Sequence, residues 1–206
     1  MAESDVGICS DALVLLGVPG VSSFLDEPNG PTCGEIYNLT RDALLGEYPW
    51  RFVMQKSGQL GLLAAAPKSE WQRAFQLPSD LIGAGAFTLF QTDAVGAAVS
   101  KEWELFGRTI HTNYNKVFID YRVRPDENQW PDFFSQLMTY EMAWKLAEPV
   151  TEDDDKMNAW FKVARGLSEE GGHGGYYRIA TQTDAMGNTG QQIEEFTLLN
   201  ARMGDR

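Results

Sequence analysis

The side chains best able to do chemistry in this 206-residue chain are two histidines, two cysteines and a few clustered carboxylates. A hydrolase built on a nucleophile needs a Ser or Cys beside a base, and no Gly-x-Ser-x-Gly elbow is present. His111 falls in a predicted strand, and His173 lies inside Gly171-Gly172-His173-Gly174-Gly175. A single His supplies no ligand set for a metal. Glu102 and Glu104 flank Trp103 and would point to one side of a strand. Paired carboxylates of that kind could serve glycoside hydrolysis, although spacing alone does not separate them from surface charge. Asp153, Asp154 and Asp155 lack the central Gly and closing Glu of a calcium loop and read as a helix cap. Cys9 and Cys33 fall on apolar helical positions and read as buried free thiols. No glycine pattern for nucleotide phosphates follows a strand. No catalytic, metal or cofactor site is expected, and no cofactor.

The elements that would carry these residues can be read from periodicity. Ser4 caps a predicted helix over about 5–16, with Val6, Cys9, Ala12, Leu13 and Leu16 on its stripe. Pro28-Asn29-Gly30-Pro31 breaks the chain before a second helix over about 32–47. That helix stops at Tyr48-Pro49, because proline ends the hydrogen-bond ladder and biases the preceding residue away from the α region. Trp50 and Phe52 follow at once and are expected in the core of the turn. Short runs rich in aromatic and β-branched residues then predict strands over about 71–77, 81–90, 103–106, 109–112 and 116–123. Phe106-Gly107-Arg108-Thr109 fits a tight hairpin.

Helix returns after Pro131, and the stretch 132–147 is apolar around most of its circumference. Such a helix is buried, either centrally or between subunits. Phe133, Phe134, Leu137 and Trp144 on it are expected core or subunit contacts. Pro149 is expected to stop it. A fourth helix follows the acidic cap around 151–154, with Trp160 and Phe161 on its stripe. From Gly171 periodicity fades. Tyr176, Tyr177, Arg178 and Ile179, then Ile193, Phe196, Leu198 and Leu199, read as apolar anchors on an extended C-terminal arm that orders on a partner.

The expected architecture is therefore α+β. A bundle of four main helices (1–55 and 130–170) carries an inserted small antiparallel β-sheet (56–129), and an arm spans 171–206. No apolar run approaches the roughly 20 residues of a membrane span. The acidic start does not resemble a signal peptide. Net charge is −12, which opposes ordinary nucleic-acid binding.

The first third carries a resemblance. Ile8 to Pro19 ends a helix in Leu16-Gly17-Val18-Pro19, and Val21-Ser22-Ser23-Phe24 follows. Tyr37, Thr40-Arg41-Asp42-Ala43-Leu44-Leu45 and Pro49-Trp50-Arg51-Phe52 then complete a pattern similar to the tail tubular protein A and head-to-tail adaptor proteins of short-tailed phages. Residues 71–78 resemble that family's aromatic–Leu-Pro strand end. The match is good over about the first 55 residues and rests on element order over 70–170. The resemblance implies a non-enzymatic virion protein at the head–tail interface, assembled in the host cytoplasm. It implies a ring of itself, typically of twelve copies, beneath a portal protein and above a tail nozzle and fibres. It further implies C-terminal segments reaching the portal. A ring of acidic subunits would let DNA pass without specific binding. The other expectations weighed are a tail-associated peptidoglycan hydrolase using a carboxylate pair and a soluble chaperone or binding module.

Overall fold

The computed structural model describes residues 4–83 and 87–187, and the fold is α+β. Helix α1 (Asp5–Leu15) starts at Ser4, whose hydroxyl accepts the Gly7 N–H at 3.0 Å. Helix α2 (Gly30–Glu47) has Pro31 in its first turn and ends at Tyr48, which is extended ahead of Pro49. The β-rich part follows: β1 (Met54–Lys56), β2 (Arg73–Gln76), β3 (Phe87–Phe90), β4 (Trp103–Phe106), β5 (Thr109–Thr112) and β6 (Phe118–Arg122). Helices α3 (Asp132–Thr151), α4 (Asp154–Arg165) and α5 (Gly175–Met186) complete the chain.

Helix α3 is the axis of the helical part, and the other helices all pack on it. Phe134, Leu137, Met138, Met142, Ala143, Leu146 and Ala147 are buried on it. Much of its apolar circumference is thus buried within the chain, while Phe133, Tyr140 and Trp144 stay half-buried. The helix also runs through Pro149 and ends at Glu152, whose φ is 51°. Proline this close to the C-terminus removes only a last-turn hydrogen bond, so it does not end the helix where the sequence suggests. Asp153 then caps α4 by accepting the Lys156 N–H at 3.1 Å.

The strands form two antiparallel three-stranded sheets, ordered β1-β6-β3 and β2-β5-β4, where the sequence suggests one. They share an apolar cluster built on Phe75, Leu89, Ile110, Val117 and Ile119. Strand β1 escapes sequence reading because all three of its residues are exposed and show no alternation.

The C-terminal reading needs correction. Tyr176, Tyr177, Arg178 and Ile179 are not on an extended arm: they form the first turns of α5, which packs on α3 and α4. Tyr177 and Ala180 are buried in the helical core. Packing against two helices supplies the stabilisation that a Gly-flanked, weakly periodic segment lacks alone. Ile193, Phe196, Leu198 and Leu199 lie outside the described residues. Among the described residues, no helix is long and apolar enough to cross a membrane.

Candidate functional site

The junction between helices and sheets is built on Trp50. The break at Pro49 throws its indole inward, where it is fully buried and donates Nε1–H to the Leu44 carbonyl at 2.8 Å. Around it stand Tyr48 at 4.8 Å, Phe134 at 5.1 Å, Tyr177 at 6.1 Å, and Phe52 and Phe133 at 6.3 Å, measured between ring centroids. Phe52 in turn meets Phe134 edge-on at 4.8 Å. Aromatic edge-to-face pairs of this kind fix relative orientation as well as burying area. The next residue on the backbone, Arg51, donates its N–H to both carboxylate oxygens of Asp184 at 3.2 Å, so α5 is tied to the same turn. Burial pushes the Asp184 carboxyl up, and the hydrogen bond from Arg51 opposes that.

A second set of ties crosses the helices. Arg165 on α4 forms a two-point ion pair with Glu47 on α2, at 2.7 and 2.9 Å. Its Nε donates to Glu141 on α3, whose other oxygen accepts the Trp144 Nε1–H at 2.8 Å. Its guanidinium also lies over the Tyr177 ring of α5, 4.6 Å from the centroid. One side chain therefore joins four helices. Lys145 sits beside this network and donates to Thr40 at 3.1 Å; burial pulls its ammonium pKa down.

The remaining predicted contacts fall on the α3–α4–α5 seam. Trp144 meets Phe161 edge-on at 5.4 Å, and Tyr140 stacks on Trp160 at 5.7 Å and meets Tyr176 at 5.2 Å. Phe134 and Leu137 are fully buried, while Phe133, Trp144, Trp160 and Phe161 are half-buried.

The residues singled out for chemistry are dispersed. His111 on β5 does have a serine partner, which its sequence context conceals. Thr109 Oγ1 donates to the Phe106 carbonyl at 2.8 Å and lies 3.1 Å from His111 Nε2. The threonine proton is thereby committed, so Nε2 carries hydrogen, and Nδ1 lies 2.9 Å from Ser69 Oγ. The Ser69 contact fastens the loop before β2 to β5, and the Trp71 Nε1–H donated to Glu104 at 3.1 Å fastens it to β4. Among the described residues, no carboxylate accepts a hydrogen bond from His111. Glu104 is thus engaged by Trp71, and the backbone carbonyl of Glu102 accepts from Thr112 Oγ1 at 2.7 Å. His173 is exposed, with its ring 5.6 Å from that of Tyr177. Cys9 and Cys33 are free and fully buried, and hydrogen bonding between the thiols followed by burial pushes Cys9 up. Among the described residues, no group of three or more His, Cys, Asp or Glu could hold a metal ion.

A cleft of about 700 Å³ opens beside the junction, floored by Phe52, Leu81, Ile82 and Val123 and rimmed by Asp80 and Arg124. No family model matches the chain, and no curated protein matches it.

Proposed function

We propose that this chain is a structural subunit of a ring-forming head-to-tail adaptor, joining a portal to a tail nozzle and fibres and surrounding the path of DNA. The observation that carries the reading is where the chemistry-capable groups are used. Arg165, Glu141, Glu47, Asp184 and Trp50 all hold one element of the subunit to another. Large apolar side chains meanwhile stand on the outside, with Leu39 76% and Met186 81% exposed. Single exposed apolar residues are common, but a set of this size distributed over several helices suits a subunit whose surface is finished by assembly. The similarity of 8–52 to adaptor sequences points to the same role. The net charge of −12, repeated around a ring, would give a negative channel that does not retain DNA.

Mass measurement of the full chain, alone and mixed with its portal, tests this. The expected result is a closed oligomer, alone or on the portal. A chain that stays monomeric in both conditions refutes the reading; a ring whose lumen is neutral or basic refutes the charge argument alone.

A further inference from the structure

The two sheets present four outer edges, and the described residues cover two of them. The outer edge of β2 is covered by residues 61–63, through Leu63 N–H to Ala74 carbonyl and Gln76 N–H to Gly61 carbonyl at 2.8 and 3.0 Å. The outer edge of β3 is covered by the segment at Val99 and Ser100, through Ser100 N–H to Leu89 carbonyl at 2.8 Å. Among the described residues, β1 and β4 keep bare outer edges, one on each sheet.

Register shows which backbone groups these edges offer. The bond from Val123 N–H to Val53 carbonyl and that from Ser57 N–H to Ile119 carbonyl commit the odd-numbered positions of β1 to β6. Met54 and Lys56 therefore direct N–H and C=O outward. On the other sheet, Leu77 N–H bonds the Arg108 carbonyl, which turns Ile110 and Thr112 toward β2. Thr109 and His111 then face Phe106 and Glu104 on β4, leaving Trp103 and Leu105 with outward groups.

Bare edges are usually blunted by proline, inward charge or a bulge. Strand β4, Trp103-Glu104-Leu105-Phe106, has none of these, and Phe106 is 43% exposed. The two edges complement each other. If β1 and β4 run parallel, Met54 and Lys56 interleave with Trp103 and Leu105, and Lys56 stands opposite Glu104 on the same face. Lys56 approaches its own Asp120 only to 3.9 Å and lies 4.9 Å from the Phe90 ring centroid, so among the described residues its ammonium makes no hydrogen bond and can serve that pair. A contact between unlike patches is heterologous, and repeating it builds a ring when the rotation closes.

We infer that the contact between neighbouring copies is backbone pairing of β1 of one copy with β4 of the next, with Lys56 opposite Glu104. This rests on the ring reading above and names its interface. Two single variants, Lys56→Cys and Glu104→Cys, test it in the full chain. Paired residues on adjacent strands lie close enough for a disulfide. Under mild oxidation the mixture should give a covalent dimer that neither variant gives alone, and the parent chain, with both cysteines buried, should give none. Lys56→Pro removes an outward N–H without touching the β1–β6 bonds, and should weaken assembly by roughly 5-fold or more at an unchanged melting temperature. A ring that forms normally yet yields no mixed dimer, or one that tolerates Lys56→Pro, overturns the edge pairing and leaves the ring reading standing. A chain that is monomeric even with portal overturns both.

Discussion

Replacing Arg165 by Met isolates the cost of leaving Glu141 buried without its partner. Methionine keeps much of the stem that packs on Tyr177 but removes the charge. Glu141 is 1% exposed, and Arg165 is the cation bonded to it. Breaking a buried ion pair by deleting one member costs about 3–5 kcal/mol, because the remaining charge stays desolvated. The pair with Glu47 lies nearer to solvent and adds less. With a urea slope of about 2.5 kcal/mol/M for a chain of this size, a loss of about 4 kcal/mol lowers the unfolding midpoint by about 1.6 M. The double variant Arg165→Met, Glu141→Gln separates charge from packing. Its amide is neutral and still accepts the Trp144 Nε1–H, so about half of the lost stability should return. The assay is urea unfolding followed by circular dichroism and by tryptophan fluorescence. A loss below about 1 kcal/mol would place the network among ordinary surface pairs. A double variant no more stable than the single one would show that Arg165 acts through shape and not through charge.

Asp184 gives a prediction in pH. Its folded pKa lies above 3.8, so between 3.8 and that raised value the native state holds a proton the unfolded chain has released. Its contribution is present at low pH and is lost as pH rises through that window. Asp184→Asn keeps an acceptor for the Arg51 N–H and does not titrate, so its stability relative to the parent should rise with pH from about 3.5 upward. A difference that is flat or falls across that range contradicts the assignment. Truncation separates α5 from the residues after it. Ending the chain after Gly171 removes Tyr177, Ala180 and Asp184 and should destabilise the helices by roughly 4 kcal/mol. Ending it after Gly187 keeps α5 whole and should give a chain that melts well above the shorter one. Equal melting temperatures for the two truncations would mean that α5 does not belong to the core.

What the sequence disclosed follows the range of the interaction involved. Helices α1 and α2 are legible from caps, breakers and a 3.6-residue stripe, all of which act within a few residues. Strands β4 and β5 are legible with their turn, because Gly107, with φ of 58°, sits where the hairpin needs a positive value. The partition of six strands into two sheets is a long-range fact: β6 pairs with β1 and β3, which lie 64 residues and 31 residues before it at Met54 and Phe87. No local pattern records that choice. The same holds for Ser69 and His111, 42 residues apart, and for Arg165 and Glu47, 118 apart.

The glycine run before α5 shows how a local rule can mislead. Five residues with four glycines suggest a chain with no reason to be ordered. In the fold the last two glycines of the run form a tightly packed corner, while Gly171 and Gly172 face open space. Gly174 donates its N–H to the Arg165 carbonyl at 2.9 Å, and Gly175 takes a φ of 53° against the end of α4. A Cβ on Gly175 would lie 2.6 Å from the Gly166 nitrogen, and one on Gly174 would meet the Glu170 carboxylate. Glycine is required there because two backbones approach within side-chain distance, and that approach brings Tyr177 under Arg165 and Asp184 onto Arg51. A run of glycines between two helices therefore has two opposite physical meanings, a free linker or a crowded corner, and only the packing of the second helix decides between them. Here α5 has a buried Tyr, a buried Ala and a buried, backbone-bonded Asp on one face, and those long-range contacts make the run a corner.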